Sequence, residues 1–268
     1  MLGDHVEQKG SLVEESRLRF DFAHNSSIDT EDILAIEDLI NSEIKKNSES
    51  ITEILPISEA IEKGAIAFFG DKYGEEVRVL NIGNGFSIEL CGGTHVERTG
   101  EIGMLKITSE SGVSAGVRRI EAVTGVGANL LLDELSQNYS AITNELFVED
   151  IDSRDGVDAL DYLRFLEEEN ISFAKALNCS NDQVLKRIIQ IKEDNNDLLK
   201  ELNRGPLEFK IFDTCAEAIE NLMNTNKSLK KDAKQLQSED KAPAIVACSK
   251  DVDIDAREIM KHLINQLG

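Results

Sequence analysis

The sequence predicts an α+β protein in which a two-layer domain of antiparallel sheet and helix precedes a helical, coiled-coil-like linker and a small α/β unit. Apolar and polar residues alternate with a period of two over 12–22 and again around 76–90, as they do in half-buried strands. Isoleucines between these stretches have helical spacing. Beyond residue 127 the apolar spacing becomes helical. The expected domains are 1–127, 128–205 and 206–268.

The first predicted elements are a strand and a helix that packs on a sheet. Residues 12–22 would form one strand with Leu18, Phe20 and Phe22 on the same face. Asp29 is in the right place to be the N-cap of the following helix. The apolar stripe of this helix consists of Ile33, Ile36, Ile40 and Ile44.

The sequence of the rest of the first domain predicts further strands and a short helix. The stretch 58–69 would hold a short helix that stops near Gly64. A β-hairpin would pair 76–82 with 86–90 across Gly83-Asn84-Gly85. Two more strands, 103–108 and 117–123, would flank a turn at Glu110-Ser111-Gly112. In the hairpin, alternation should direct Phe86, Ile88 and Leu90 into a core and leave Ser87, Glu89 and Cys91 on the polar face.

The motif Cys91-Gly92-Gly93-Thr94-His95 follows that hairpin directly. Two glycines permit a tight turn that brings the imidazole of His95 beside the thiolate of Cys91, and this pair of ligands suits zinc. It would supply half of a tetrahedral site. A buried thiol and a surface histidine on a glycine-rich loop explain the same C-x-x-x-H spacing equally well.

The spacing of apolar residues in the linker predicts three helices. The first carries apolar residues from Leu131 to Leu146, the second covers 156–177, and the third opens with a capping box at Ser180-x-x-Gln183. The third has a heptad seam interrupted by one polar residue, Asn195. The seam consists of Val184, Ile188, Ile191, Asn195, Leu198 and Leu202. Either it joins two copies of the chain, or it forms an intramolecular hairpin with 156–177.

The final unit predicts a strand at 208–212, a helix opened by Thr214-x-x-Glu217, a strand at 243–248 and a helix from about 254. Cys179, Cys215 and Cys248 are interpreted as apolar core residues. The four cysteines have no framework spacing, which favours a reducing, cytoplasmic location, and no stretch is long and apolar enough for a membrane span.

The chain of 268 residues has a net charge of −22, and its acidic residues are spread along the whole length. Such a charge argues against a broad nucleic-acid-binding surface, since phosphate contacts need clustered lysine and arginine. Any contact with RNA should therefore be local. The candidate clusters are Arg17 with Arg19 and Arg118 with Arg119.

The run FSIELCGGTHVERTGEIGMLKITSESGVSAGVRRIEAVTG, residues 86–125, resembles the second core segment of the alanyl-tRNA synthetase editing domain. QKGSLV…LRFDFAHN (8–25) and GAIAFFGDKYGEEVRVL (64–80) resemble the preceding segments of that family, in the same order. Threonyl-tRNA synthetases and free-standing alanyl-tRNA editing proteins carry a similar module. The helical segments after residue 128 favour the alanyl synthetase family.

The resemblance implies hydrolysis of the mischarged esters Ser-tRNA(Ala) and Gly-tRNA(Ala). Cys91 and His95 match the second pair of zinc ligands of the family, and the first pair, an H-x-x-x-H motif, is expected upstream of Met1. Gln8 would line the substrate pocket, while Gly92, Gly93 and Thr94 form the catalytic loop. The turn from Gly112 to Arg119 would contact the tRNA end, and Ser87 and Glu89 would support the loop.

Neither His5 nor His24 matches the missing motif, and a structural hydrogen bond is the simpler role for His24. ATP and magnesium would be needed only in an aminoacylation domain that this sequence does not contain. The resemblance implies tRNA(Ala) as a partner and homo-oligomerisation through the helical region. Two alternatives remain open: a free-standing alanyl-tRNA editing hydrolase, and a non-catalytic module for tRNA binding or dimerisation.

Overall fold

The computed structural model of the chain describes residues 2–66, 74–148, 156–208 and 210–240. They divide into two compact units. The first unit is Met1–Tyr139 with Asp152–Glu168, and the second is Ser140–Ile151 with Glu169–Gly268. Antiparallel sheets and helices build the first unit, and the second is helical among the described residues. The predicted α+β class, with an antiparallel domain before a helical region, is therefore confirmed.

The strands are β1 (Gln8–Val13), β2 (Leu18–Ala23), β3 (Ser50–Pro56), β4 (Glu76–Ile82), β5 (Ser87–Leu90), β6 (Leu105–Ser114) and β7 (Val117–Thr124). The helices are α1 (Thr30–Lys45), α2 (Ile57–Glu62), α3 (Val126–Leu146), α4 (Ala159–Leu177), α5 (Val184–Glu201) and α6 (Cys215–Asp240). One sheet has the strand order β1-β2-β7-β6 and the other β3-β4-β5, and every strand pair is antiparallel.

The predicted single strand over 12–22 is wrong, because this stretch is a hairpin. β1 ends at Val13 and β2 begins at Leu18, and the N–H of Glu14 donates to the carbonyl of Arg17 at 2.9 Å to close the turn. The turn has an even number of residues, so the alternation continues in phase across it and conceals the break. The feature of the sequence that indicates a turn here is the run of three consecutive polar residues, Glu14-Glu15-Ser16.

Helix α1 packs on the first sheet as predicted. It starts after Asp29, although the Asp29 side chain makes no capping hydrogen bond. The isoleucine stripe is confirmed, since Ile44 is buried with Leu105, Ile107 and Ala122, and the other three isoleucines pack against that cluster. The amide of buried Asn41 bonds both backbone groups of Leu105, at 2.8 and 2.9 Å. This contact joins the helix to the edge strand β6.

The second sheet has its own small core, and it carries the predicted hairpin. Ala60 from α2 packs with Val77, Val79 and Leu90, and Ile88 lies against them. Phe86 is 51% exposed, so its predicted place in the core is wrong. It precedes β5 at the hairpin turn, where the alternation no longer determines its direction. Residues 67–69 of the predicted helix lie outside the described residues, and α2 stops at Glu62.

The β6–β7 hairpin turns later than the sequence predicts. Glu110, Ser111 and Gly112 lie within β6, opposite Ile120, Arg119 and Arg118. The chain reverses at Ala115-Gly116, and Gly116 has the left-handed φ of +73° that such a turn uses. The predicted turn at 110–112 is therefore wrong. The Ser-Gly pair instead marks an irregular strand, because the pairing register of β6 shifts between Gly112 and Ser114.

In the second unit, α5 packs along α6 and not along the predicted 156–177 helix. The two helices run in the same direction, because Asn195 contacts Asn226 and, further along both helices, Glu201 contacts Gln237. The predicted hairpin with 156–177 is therefore wrong. The buried residues of α5 include Val184, Ile188, Ile191 and Asn195, as the seam predicts, but at the end of the helix Leu199 is buried and the predicted Leu198 and Leu202 are half-buried.

The two predicted capping boxes have different outcomes. The box at Ser180 does not form: a 3₁₀ turn at Asn181–Gln183 precedes α5, and the N–H of Gln183 donates to the backbone carbonyl of Ser180. In contrast, Thr214 Oγ1 accepts the N–H of Glu217 at 3.3 Å, as predicted. Helix α6 therefore starts where the sequence indicates.

Only part of the predicted small α/β unit lies within the described residues. Among the described residues of 208–212, Phe212 alone forms a bridge, with Val148, so the predicted strand is not found there. The predicted strand at 243–248, the helix from 254 and Cys248 lie outside the described residues. Cys215 is buried as expected, and Cys179 is half-buried. Within the described ranges, no helix combines the length and the apolar content that crossing a bilayer requires.

Candidate functional site

The loop after β5 brings together the two side chains that the sequence singled out. Cys91 continues the pairing of β5 with β4, because its N–H donates to the carbonyl of Arg78 at 3.2 Å. The chain then turns through Gly92 and Gly93, and the Nε2 atom of His95 comes to 3.2 Å from the Sγ atom of Cys91. The predicted proximity of thiol and imidazole is therefore confirmed. His95 is exposed and Cys91 is half-buried, so the pair is open to solvent on one side.

The pair has the spacing of two ligands of one metal ion. Zinc–sulfur and zinc–nitrogen bonds of about 2.3 and 2.05 Å at a tetrahedral angle would place sulfur and nitrogen about 3.6 Å apart. The observed 3.2 Å separation needs only a small side-chain adjustment to accept an ion. Within the described ranges, no group of three or more histidine, cysteine, aspartate or glutamate side chains could hold a metal. The loop thus brings together two side chains of the kinds that bind zinc, and no third such side chain joins them within the described ranges.

The two glycines have different roles in the loop. Neither Gly92 nor Gly93 has a left-handed φ, so the turn that brings His95 beside Cys91 does not use that conformation. A Cβ atom on Gly93 would lie 3.5 Å from His95 Nε2 and 3.6 Å from Cys91 Sγ. A Cβ atom on Gly92 would meet nothing within 4 Å. Gly93 therefore keeps the space beside the pair empty.

Arg78 holds the loop in place, and sequence reasoning missed it. Its Nη1 atom donates to the carbonyls of both Cys91 and Gly93 at 2.7 Å, and its Nη2 atom lies 3.4 Å from Thr52 Oγ1 on β3. The pairing of the predicted hairpin could have indicated this role of Arg78. Val79 pairs with Leu90, so the next residues outward, Arg78 and Cys91, stand opposite each other and share a face.

The other predicted site residues form no hydrogen bond with Cys91 or His95 among the described residues. Gln8 is on β1 in the first sheet, and its amide donates to Ser11 at 3.2 Å. Thr94 is exposed between Cys91 and His95. Ser87 donates to Glu89 at 3.2 Å, and this hydrogen bond links them to each other and not to Cys91 or His95.

His5 and His24 form a second histidine contact. Nε2 of His5 is 2.8 Å from Nδ1 of His24, and the two rings stack with centroids 5.1 Å apart. The Oγ atom of Ser26 is 3.2 Å from the other nitrogen of His24. Both nitrogens of His24 are thus engaged, which confirms its predicted structural hydrogen bonding.

The arginine clusters predicted to meet RNA are occupied by carboxylates. Arg118 makes a two-pronged contact with Glu110 at 2.5 Å, and Arg119 makes one with Asp21 at 2.7 and 2.8 Å. The hydrogen bond from Arg119 lowers the pKa of Asp21, and the carboxylate raises the pKa of Arg119. Arg17 similarly bonds Glu14. The guanidinium groups of Arg118 and Arg119 therefore join neighbouring strands of the first sheet.

Comparison with known proteins identifies the segment around the loop. Residues 77–121 match the family model described as the "Threonyl and Alanyl tRNA synthetase second additional domain". The alanine–tRNA ligase of Saccharophagus degradans is 37% identical over 272 residues, covering 100% of this chain and 30% of that protein. That of Pseudomonas fluorescens is 45% identical over 204 residues, 76% of this chain and 20% of the relative.

A shorter part of the chain has higher identity. The alanine–tRNA ligase of Pseudomonas syringae pv. syringae is 59% identical over 128 residues, which is 48% of this chain and 15% of the relative. The chain thus spans less than a third of the length of these relatives. These similarities confirm the resemblance carried by residues 86–125 and extend it over the whole chain.

Proposed function

We propose that this chain, which is similar along its whole length to part of alanine–tRNA ligases, carries the site that hydrolyses mischarged Ser-tRNA(Ala) and Gly-tRNA(Ala). The observation that carries the proposal is the Cys91–His95 pair, with sulfur and nitrogen 3.2 Å apart, inside the segment that matches the second additional domain. Attachment of alanine to tRNA(Ala) with ATP and magnesium would belong to other parts of such a ligase.

The need for this reaction follows from the limits of size discrimination. A pocket built for alanine cannot exclude the smaller glycine, and one added hydroxyl group gives only weak rejection of serine. A second site that cleaves the wrong ester corrects both errors. Such a site needs a group that positions the aminoacyl ester and donors that face the oxyanion formed during hydrolysis.

The residues of the loop suit these tasks. Cys91 and His95 would hold a zinc ion together with the H-x-x-x-H motif that the family carries upstream of the segment resembling residues 2–13. When bound, zinc supplies a positive charge that orients the ester and polarises water. Within the described ranges, the N–H groups of Gly92 and Gly93 make no hydrogen bond, and both residues are exposed. They are available to an oxyanion, while Arg78 fixes their backbone through two carbonyls.

A non-catalytic tRNA-holding module is the second candidate. It is favoured by the finding that the described residues offer no group of three metal ligands. The free-standing hydrolase is less well supported, because the similarity to alanine–tRNA ligases continues through the helical unit. Homo-oligomerisation through the heptad seam also lacks support, because α6 of the same chain covers that seam of α5.

Deacylation decides between the first two candidates. We define the joined chain as this protein preceded by the H-x-x-x-H segment of a similar ligase. The joined chain should retain about one zinc ion after dialysis, and this chain alone should retain far less, because two ligands do not complete a site. The joined chain should deacylate Ser-tRNA(Ala) and Gly-tRNA(Ala) and spare Ala-tRNA(Ala).

Cys91→Ala in the joined chain should slow deacylation of Ser-tRNA(Ala) by about a hundredfold or more, because both positioning and charge stabilisation are removed. Cys179→Ala, which removes a half-buried thiol of the helical unit, is the matched control and should leave the rate unchanged. Wild-type rates in Cys91→Ala would contradict the catalytic proposal and leave the tRNA-holding module.

A further inference from the structure

Arg78 carries a positive charge that no carboxylate of the described residues balances. Its partners are the carbonyls of Cys91 and Gly93, both at 2.7 Å, and Thr52 Oγ1 at 3.4 Å, and all three are uncharged. Every other described arginine of the first unit has a carboxylate oxygen within 2.5 to 3.7 Å. These are Arg17, Arg19, Arg98, Arg118, Arg119 and Arg164. The unbalanced guanidinium beside the Cys91 loop is thus unusual in a chain with a net charge of −22.

The carboxylates on the strands around Arg78 have other arrangements. Glu53 on β3 bonds a lysine at 3.1 Å, and Glu89 on β5 accepts a hydrogen bond from a serine. Glu76, two residues before Arg78 on β4, is exposed and takes part in no ion pair among the described residues. The charge of Arg78 is therefore available to an anion from outside the chain.

Two of the five N–H donors of the Arg78 guanidinium are not used by the chain. The two on Nη1 go to the carbonyls of the loop, and Nη2 directs one toward Thr52. The N–H on Nε and the second one on Nη2 have no acceptor in the part of the chain that the structure describes. Nε is not fully enclosed by protein atoms, so an external group can reach it. Two free donors on neighbouring nitrogens suit a contact with two oxygens of one phosphate.

Arg78 lies next to Cys91 on one face of the second sheet. The pairing register places the two residues opposite each other, one on β4 and the other directly after β5. Side chains of such cross-strand neighbours are about 5 Å apart. On the other side of Arg78, β3 places Ile54 opposite it, and Ile54 is 70% exposed. An external anion therefore has access to Arg78 at a distance from Cys91 that one sugar ring can span.

We propose that Arg78 binds the phosphate that joins the terminal adenosine of a mischarged tRNA to the preceding nucleotide. The amino acid is an ester on the ribose of that adenosine, so the ester and the phosphate lie on two sides of one ribose. With the ester at Cys91 and His95, the phosphate reaches the neighbouring position, where the free donors of Arg78 lie. Arginine suits this contact because its planar fork bonds two phosphate oxygens at once. The proposal rests on the proposed function and adds a second substrate contact to the same site.

The phosphate contact should affect KM and not kcat, because the phosphate is remote from the ester and is held equally before and during hydrolysis. The test uses the joined chain and 3′-O-seryl adenosine, with and without a 5′-methyl phosphate that copies the diester of tRNA. The unaltered joined chain should have a KM lower by about tenfold to a hundredfold for the phosphorylated ester. Arg78→Met should reduce this ratio to about one, even where loss of the loop contacts lowers kcat for both esters. Arg78→Lys should keep part of the ratio, since the positive charge remains.

Arg98→Met is the control for this ratio, because it removes an arginine that already bonds Glu49 at 3.1 Å. It should keep the full ratio. Equal KM values for the two esters in the unaltered joined chain would overturn the proposal. An unchanged ratio together with a lower kcat in Arg78→Met would overturn it too, because holding the loop would then be the whole role of this side chain.

Binding measured without cleavage separates this proposal from the editing proposal. Calorimetry with the joined chain and the hydrolysis-resistant 3′-serylamide of adenosine should show binding tighter by a similar factor when the 5′-methyl phosphate is present. Arg78→Met should remove that difference. Phosphate-dependent binding with no cleavage of either ester would support the phosphate contact and contradict editing. Cleavage of both esters with no dependence on the phosphate would support editing and overturn the phosphate contact.

Discussion

Each unit buries a polar side chain where a helix packs on its neighbour, but the two contacts are built differently. On α1, Glu37 is fully buried and accepts hydrogen bonds from Lys106, the N–H of Ile107 and Arg164, at 2.7 to 3.1 Å. On α5, Asn195 is almost as deeply buried, and its Oδ1 accepts one bond, from Asn226 at 2.7 Å. Its Nδ2 has no partner within the described part of the chain.

The difference separates two ways of positioning an element. Directional bonds from several sides fix the place of α1 on the edge strand β6, and each bond depends on the others because the charges lie in a buried network. The α5–α6 contact depends mainly on apolar side chains, with one polar pair that selects register. The Cys91 loop belongs to the first kind, since one guanidinium holds two of its carbonyls.

The largest expected effect is at Glu37. Glu37→Gln should lower the free energy of unfolding of the first unit by about 3 to 5 kcal/mol, because it leaves Lys106 buried without a full counter-charge. Urea unfolding followed by circular dichroism measures the change. Asp38→Asn is the matched control: Asp38 bonds the same Arg164 at 2.8 Å, but its side chain is 63% exposed. It should cost less than about 1 kcal/mol. Similar costs for the two variants would remove the distinction between the units.

The next effect is at Arg78. Arg78→Met keeps the apolar stem and removes the donors to Cys91 and Gly93, so the ligand pair should lose its fixed spacing. Deacylation of Ser-tRNA(Ala) and zinc affinity of the joined chain should each fall by about tenfold to a hundredfold.

Arg98→Met is the control for Arg78, because Arg98 lies just after the loop but bonds Glu49 at 3.1 Å and the carbonyl of Asn47. It should leave both quantities nearly unchanged. If the two variants behave alike, the loop is held by its own backbone and not by the guanidinium.

Arg78 also illustrates what the sequence could and could not predict. The apolar spacing of α1 and the β4–β5 hairpin predicted their elements and their packing, and the C-x-x-x-H motif predicted a contact that the structure contains. These features are local, or repeat with a regular period. To predict that Arg78 is the partner of Cys91 across the hairpin, the exact pairing register of the two strands must be known. A shift of one residue would have changed the partner.

Long-range partners were predicted less well. The heptad seam of α5 indicated its buried face correctly but not the helix that covers it, because an apolar face carries no information about the identity of its partner. The arginine pairs were interpreted as an RNA surface because their carboxylate partners can be distant in sequence: Asp21 lies 98 residues before Arg119.

A smaller effect is expected at Gly93. Gly93→Ala should fold normally, because its backbone conformation is open to other residues and the new Cβ would sit at ordinary contact distances of 3.5 and 3.6 Å from the ligand atoms. The methyl group would, however, occupy the space beside the pair and slow deacylation by the joined chain by about tenfold. Gly92→Ala should have no comparable effect, since nothing lies within 4 Å of its Cβ. Equal rates for the two variants would show that the space beside the pair is not used.

The smallest effect is expected at Asn195. Asn195→Leu removes a buried amide with an unpaired Nδ2, but it also leaves the amide of half-buried Asn226 without its acceptor. These changes oppose each other, so the free energy of unfolding of the α5–α6 pair should change by less than about 1 kcal/mol. Replacing both asparagines by leucine removes both unpaired groups and should stabilise the helix pair by about 1 kcal/mol.

The double replacement should, however, make the pairing register of α5 and α6 less specific. Without the polar pair, α5 and α6 can pack in shifted registers, so the amide spectrum of the two helices should broaden while their stability rises. The mass from light scattering should stay the same in both variants, because α6 of the same chain already covers the seam. A doubled mass would show that the seam can join two copies once its polar pair is removed. A double variant less stable than the original by more than about 2 kcal/mol would show that the asparagine pair stabilises the helical unit nearly as strongly as Glu37 stabilises the first unit.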